Sequence, residues 1–338
     1  FSYSSNVSIA TSSAVNLYNL NMFSRLLNKL NDRFNNGDYY EAHQIYKTLY
    51  YRLLRENKPD QVYDLLYNGA LKFMEKEQYN SGADLAIMIV KMLGTLESSL
   101  QVKHTDDELI ANIRTLFSCM KSKLSNESRV ERLQFVSQSL QISYLSTSDI
   151  RKQFAEVLWT EKNFAEARLH FLYSSDSGNN CALMLIEYQT MFGCHHEIDL
   201  MIAQFVLQVL CCENKQLAVN TFHFYTMNHP QIKCTEPPFT TPLLNFICFL
   251  LIAIDNGKSI LFNTLCSFYE RSLKRDPCYS KYLEQIGHIY FGIEKKTKSG
   301  GLLSNLLQSL FDGTSNDEPN ERSNENIAMV NNEEAELD

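Results

Sequence analysis

Apolar residues recur at steps of three and four along most of this chain, a spacing that places them on one face of an α-helix. The pattern is strong after Gly37, where one stripe holds Ala42, Ile45, Tyr46, Leu49 and Leu53. Asp38 is placed to cap the N-terminus of this helix. The 338 residues include only 12 Gly and 7 Pro, which favours long helices with short connections over an all-β or doubly wound fold.

A degenerate internal repeat accompanies the helical spacing. An aromatic residue stands three positions before a small residue in three pairs: Tyr39 with Ala42, Tyr79 with Gly82, and Phe164 with Ala167. Tyr39 and Tyr79 are 40 residues apart, and Phe164 follows after about two such units. A unit of this size fits a helical hairpin, and stacked hairpins form an α-solenoid. Such pairs also arise by chance in helical proteins, so the repeat favours a solenoid more than any subtype.

Further helices follow from the same spacing. A second helix starts at Pro59, and its small residues Gly69 and Ala70 would let a neighbouring helix approach closely. The four prolines within 229–242 predict an irregular connection. The other predicted helices are 84–95, 106–122, 128–142, 150–160, 164–174, 181–192, 197–212, 214–228, 241–255, 258–272, 278–291 and 302–311.

Charge is concentrated at one end of the chain. Residues 312–338, which we call the acidic segment, hold nine acidic residues and one arginine, so they carry the whole formal net charge of −8. The remainder is balanced and has no net field that would attract nucleic acid or an anionic membrane. The acidic segment lacks aromatic residues and is expected to be disordered. Residues 1–21 are rich in Ser, Asn and Thr, and we interpret them as a disordered leader without a secretory signal.

No residue pattern points to catalysis, a cofactor or a metal. The run Cys194-His195-His196-Glu197 and the pair Cys211-Cys212 do not have a common zinc spacing. Nine cysteines, an odd number without a framework spacing, indicate free thiols in a reducing compartment, the cytosol or nucleus. The most apolar stretch, 243–254, is too short to span a bilayer and predicts a buried helix. An enzyme that uses the Cys and His clusters is the least favoured class.

Two segments are candidates for partner contact. The side of helix 38–55 opposite the apolar stripe carries Gln44, Lys47, Tyr51 and Arg55, and an aromatic residue among cations can anchor a partner. Tyr51 could equally cover the next hairpin of a stacked array. The leucine stripe of 302–311 could dock a partner or close the open end of the solenoid.

Long collinear stretches of the chain resemble the Golgi-to-ER-traffic protein 4 family, the scaffold of the guided-entry pathway for tail-anchored proteins. The first stretch is FNNGDYYEAHQIY at 34–46, and a later one is GGLLSNLL at 300–307. Between them lie 68–71, 80–85, 170–176, 237–239, 242–247 and 291–293. The resemblance spans residues 22–311 and is weakest around 94–150. The proline-rich connection and the terminal motif resemble the animal branch.

The resemblance implies a right-handed α-solenoid of stacked helical hairpins, similar to tetratricopeptide arrays, without catalytic activity. It implies a cytosolic scaffold that helps hand tail-anchored membrane proteins to their targeting ATPase for insertion into the ER. The N-terminal half, 22–150, would dock that ATPase. The C-terminal half, 151–311, would dock a ubiquitin-like adaptor or a large BAG-domain protein. The alternative is another helical-repeat adaptor, such as a subunit of a proteasome-lid-like or vesicle-coat-like assembly.

The predicted contacts combine this resemblance with the residue patterns. The ATPase contacts are Tyr40, His43, Lys47, Tyr51, Arg52 and Arg55, with Asp84 as a second, more regulatory point. The stretch 243–254 is apolar nearly all round, and the leucine helix follows a Gly300-Gly301 hinge. The helices at 241–291 and the 302–311 helix are therefore expected to frame a groove. The predicted partner-docking residues are Leu243, Phe246, Phe249, Leu250, Leu303, Leu306 and Leu310.

Overall fold

The computed structural model describes residues 23–95, 103–120 and 126–294, and the regular structure in these ranges is helical. The helices are α1 (23–35), α2 (Tyr39–Arg55), α3 (Pro59–Glu75), α4 (Tyr79–Thr95), α5 (Asp106–Cys119), α6 (Asn126–Ser139), α7 (Thr147–Thr160), α8 (Phe164–Leu172), α9 (Gly178–Phe192), α10 (Ile198–Cys211), α11 (Lys215–Asn228), α12 (Pro242–Asn256), α13 (Ser259–Phe268), α14 (Glu270–Leu273) and α15 (Cys278–Phe291).

Most helices pack mainly on their near neighbours in sequence. Helix α3 contacts α2, α4 and α5, α7 contacts α5 and α8, and α9 contacts α10 and α11. The buried apolar side chains form one continuous core that runs from Leu30 to Phe291. An array in which hairpins bury their apolar faces on one another is the architecture of a helical solenoid. The predicted all-helical solenoid of stacked hairpins is confirmed.

A repeated turn connects many of the helices. Asn57, Glu77, Lys162 and Glu213 adopt the left-handed conformation, with φ near +60°, two residues before the next helix begins. At Glu77 the backbone N–H bonds to Met74 O at 3.1 Å, and the following N–H bonds to Phe73 O at 2.8 Å. This pair of bonds is a Schellman motif, which satisfies the last carbonyls of the helix. Glycine holds the corresponding position at Gly37 and Gly257, so most of these turns had no glycine signal in the sequence.

We expect Glu77→Gly to raise the free energy of unfolding by about 0.5–1 kcal/mol. A residue with a Cβ is strained in the left-handed region, whereas glycine is not. The matched control is Glu75→Gly in the last turn of α3, which should lower stability because glycine weakens a helix. Chemical denaturation of both variants checks the opposite signs, and a loss of stability in both would contradict this account.

The three aromatic–small pairs have the positions that the repeat predicts. Tyr39, Tyr79 and Phe164 are the first residues of α2, α4 and α8, and the small residue that follows each of them is buried. The close approach expected at Gly69 is also present, because a Cβ there would lie 2.5 Å from Cε1 of Tyr46.

Some local predictions were wrong. Asp38 occupies the N-cap of α2 but makes no capping bond, because its carboxylate accepts a hydrogen bond from Arg33 at 2.9 Å instead. The helix predicted at 258–272 is divided into α13 and α14 at Tyr269, whose ring packs against Phe246 with centroids 5.8 Å apart. The predicted leader at 1–21, the 302–311 helix and the acidic segment lie outside the described residues.

Candidate partner-docking surfaces

Helix α2 presents large side chains to solvent on the side away from the core. Tyr40 is 76% exposed, Tyr51 58% and Leu54 43%, and Arg55 is exposed next to Leu54. We call these four residues the α2 surface. The predicted apolar stripe on the other side is buried, so α2 separates a core face from an outward face as the spacing indicated.

Three of the predicted residues meet where α2 faces α4. The Nε2 atom of His43 and the Nζ atom of Lys47 lie 2.9 Å and 2.7 Å from Oδ2 of Asp84. The ring of His43 is 9% exposed and packs edge-on to Phe73 at 5.9 Å. His43 was therefore wrongly placed among the surface contacts. It follows Ala42 on the core side of α2. There His43 and Lys47 both contact the carboxylate of Asp84.

The remaining predicted residue of this group, Arg52, is half-buried. Its Nε atom lies 3.3 Å from Oε1 of Glu56, one turn further along the chain. Glu56 also accepts a hydrogen bond from Lys58 at 2.6 Å, and these two cations lower the pKa of the Glu56 carboxyl. Arg52 therefore contributes charge at the end of α2, beside the exposed Arg55.

We call His43, Lys47 and Asp84 the Asp84 cluster, and its contribution to stability depends on pH. The hydrogen bond from His43 and the contact with Lys47 lower the pKa of Asp84 from 3.8 to about 2, against the opposing effect of partial burial. A carboxyl with a depressed pKa stabilises the fold above its unfolded-state pKa and loses that contribution as the pH falls through its folded-state value.

We expect Asp84→Asn to lower the free energy of unfolding at pH 7 by about 1 kcal/mol, a value reduced because the carboxylate is partly exposed. The difference from the parent protein should disappear between about pH 4 and pH 2. Asp176→Asn, at an exposed aspartate, serves as the control. Stability measured by denaturation across this pH range checks the expectation, and equal pH profiles of the parent and Asp84→Asn would contradict it.

In the C-terminal half the structure corrects three of the predicted docking residues. Leu243, Phe246 and Leu250 are fully buried, because α12 is covered by α10, α13 and α14. Most of the stretch is apolar because these three helices pack against it. Phe249 alone of the four predicted α12 residues is exposed, at 40%. Leu303, Leu306 and Leu310 lie outside the described residues.

A different set of apolar residues is exposed nearby. Ile260 and Phe268 of α13 are 77% and 80% exposed, and Ile252 of α12 is 51% exposed. Together with Phe249 and Leu261 they form what we call the α12–α13 surface. The helix predicted at 258–272 includes α13, but sequence reasoning named none of its residues as docking contacts, although its buried residues Phe262 and Cys266 are one turn apart and leave Ile260 and Phe268 on another face. These exposed apolar residues lie on two helices that contact each other, which makes them candidates for an interaction site.

The described residues form no group of three or more His, Cys, Asp or Glu side chains that could hold a metal ion. The run from Cys194 to Glu197 is exposed, and its two histidine rings lie against each other with centroids 5.7 Å apart. Within the same ranges, every helix is too short or too polar to cross a bilayer.

The fold and these two surfaces place the chain in the class of helical-repeat proteins, whose exposed faces are typically used for binding. The family model for Golgi to ER traffic protein 4 matches residues 56–311. A homologue of that protein from Oryzias latipes is 42% identical over 313 residues, which cover 90% of this chain and 93% of the relative. The Homo sapiens homologue is 43% identical over 306 residues, with coverages of 88% and 90%.

The chain therefore belongs to the Golgi to ER traffic protein 4 family, and the resemblance predicted from the sequence is confirmed. A solved structure has the same fold: the crystal structure of C. therm. Get4 superposes with a TM-score of 0.69. The match covers 88% of this chain and all of that chain at 22% sequence identity.

Proposed function

We propose that this protein is a non-catalytic cytosolic scaffold that hands tail-anchored membrane proteins to their targeting ATPase for insertion into the ER. The α2 surface docks the ATPase, and the Asp84 cluster sets the shape of α2 at that contact. The α12–α13 surface docks a ubiquitin-like adaptor or a large BAG-domain protein. Holding two partners on one body raises the effective concentration at which they exchange a client.

The observation that supports this proposal most directly is the position of the two surfaces. The α2 surface belongs to the first hairpins that the structure describes, and the α12–α13 surface belongs to the last ones that it describes. The core between them is continuous, so the two surfaces are held at a fixed separation. Family membership favours this assignment over a subunit of a proteasome-lid-like or vesicle-coat-like assembly.

The state of the cysteines supports a reducing compartment. All nine are free, and Cys181 and Cys266 are buried. Burial raises the pKa of the Cys266 thiol to about 12, which keeps it protonated and unreactive at neutral pH. These thiols fit the proposed cytosolic location and an ordinary packing role.

The proposal is tested by mixing the purified full chain with the targeting ATPase and with the ubiquitin-like partner, separately and together. Light scattering after gel filtration should show one ternary complex, because the two surfaces do not overlap. Capture from cytosol should recover the same two proteins. Competition between the two partners for one site, or recovery of coat or lid subunits instead, would refute the scaffold role.

The part that the leucine helix predicted at 302–311 plays in this proposal is inferred from the sequence alone. If it clamps the partner, replacing Leu303, Leu306 and Leu310 by Ser should abolish the complex while the free protein melts close to the parent temperature. If it only closes the array, the same change should lower the melting temperature and weaken binding in proportion. Measuring both quantities on this variant separates the two roles, and lost stability with intact binding would rule out the clamp.

A further inference from the structure

A cleft of about 800 Å³ opens between the start of α10, the irregular connection before α12, and α14. Its lining is rich in basic side chains: His195, His196, Lys233, Arg271 and Arg275. We call it the basic cleft. Lys233 and Arg271 are exposed, and neither has an ion pair within the part of the chain that the structure describes. Glu270, the acidic residue of α14, forms an ion pair with Lys274, with 2.5 Å between Oε1 and Nζ.

One side of the basic cleft is built around a buried carboxylate. Oδ2 of Asp199 accepts a hydrogen bond from Nη1 of Arg275 at 2.6 Å, and Nη2 of Arg275 donates to His196 O at 3.1 Å. The Asp199 side chain is 1% exposed. These bonds fix the guanidinium group and leave its remaining N–H groups available to a ligand.

Two buried polar atoms of the cleft lack a partner among the described residues. They are Oδ1 of Asp199 and Oγ1 of Thr241, the residue before α12. A buried carboxylate oxygen without a hydrogen bond is costly, so a nearby donor would stabilise this site, and the cations around it favour an anion. An acidic peptide supplies both, through its side-chain carboxylates and its backbone N–H groups. Free phosphate supplies the anion but few donors, and therefore fits less well.

We propose that the basic cleft is a binding site for an acidic peptide and that residues 312–338, the acidic segment of this same chain, occupy it. Charge complementarity is the first argument, because the acidic segment carries the entire formal net charge of −8. Its carboxylates pair with Lys233, Arg271 and Arg275.

Chain length is the second argument. Arg275 and Asp276 stand just before α15, so the first turn of α15 lies next to the basic cleft. The 14 residues of α15 are about 21 Å long. Residues 295–301 in extended form and 302–311 as the predicted helix can together span about 38 Å, which is more than enough to return to the cleft. A tethered segment competes at a millimolar effective concentration, so weak contacts keep it bound.

Hydrogen exchange of the full chain, followed by mass spectrometry at low ionic strength, tests this proposal. The amides of the acidic segment should exchange several-fold more slowly in the parent than in the double variant Lys233→Glu, Arg271→Glu. Both replaced side chains are exposed, so the variant should melt like the parent. High salt should remove the protection, because exposed charge pairs are screened.

Two further variants keep the test specific. Lys91→Glu with Arg25→Glu makes the same charge change at exposed positions elsewhere and should leave the protection intact. Replacing Glu333, Glu334 and Glu336 by Gln should remove the protection without altering the basic cleft. Unprotected exchange in the parent, or equal exchange in the parent and the cleft variant, would overturn the proposal. Protection that falls on dilution would indicate a contact between copies and would also overturn it.

Discussion

Tyr51→Ala should lower the affinity for the targeting ATPase by about ten- to a hundredfold, while Tm stays close to that of the parent. Large exposed aromatic residues flanked by arginine carry a disproportionate share of interface energy, and truncating one typically costs 1–3 kcal/mol. Tyr51 is 58% exposed, lies one turn before the exposed Arg55, and contributes little to the core. Calorimetry with the purified ATPase measures the change directly.

The control for Tyr51→Ala is Phe268→Ala, which removes an 80% exposed ring from the α12–α13 surface. We expect Phe268→Ala to weaken binding of the ubiquitin-like partner and to leave ATPase binding unchanged. Tyr51→Ala should weaken ATPase binding and leave binding of the ubiquitin-like partner unchanged. If both variants weakened the same complex, or neither weakened any, the assignment of the two surfaces would be wrong.

Phe154→Ala should reduce the free energy of unfolding by about 3–5 kcal/mol, because it leaves a cavity in a close-packed core. Phe154 is fully buried in α7, and its ring lies 4.5 Å from that of Phe117 and 6.3 Å from that of Phe135. These contacts join α5, α6 and α7 near residues 150 and 151, where the boundary between the N-terminal and C-terminal halves was predicted. Denaturation of the purified variant measures the loss.

Phe192→Ala is the matched control, because Phe192 is 62% exposed at the end of α9. Its ring contacts Tyr188 and Phe164, so the expected loss is below about 1 kcal/mol. Equal losses for Phe154→Ala and Phe192→Ala would contradict the burial that distinguishes them.

The parts of the fold that the sequence predicted well are those decided by local periodicity. The stripe from Ala42 to Leu53 is buried, and the helices begin at the aromatic residues of the repeat, because helix spacing alone determines which side can enter a core. The left-handed turn at Glu77 was not predicted, since the backbone conformation there is imposed by the hairpin rather than by a glycine. Likewise, Tyr269 divides a continuous apolar pattern by packing onto another helix.

The candidate surfaces were predicted less well, because exposure depends on which neighbours a helix acquires. Position 43 looked like part of an outward face, but α4 brings Asp84 to within 2.9 Å of it. The α12 residues looked like an open groove, but three other helices cover them. Tyr51, by contrast, is 58% exposed among the described residues, in agreement with the prediction of an outward side chain.

The last described helix packs far back along the chain. Tyr279 and Tyr282 of α15 hydrogen-bond to Leu200 O and Gln208 of α10, and Gln285 bonds to Cys211 O. During synthesis the earlier hairpins can fold as they leave the ribosome. One side of α10 must wait, because α15, which covers it, emerges only after α11 to α14. A nascent chain that stops before Cys278 would therefore display a bare apolar strip, which chaperones and proteases could recognise as the mark of an unfinished product.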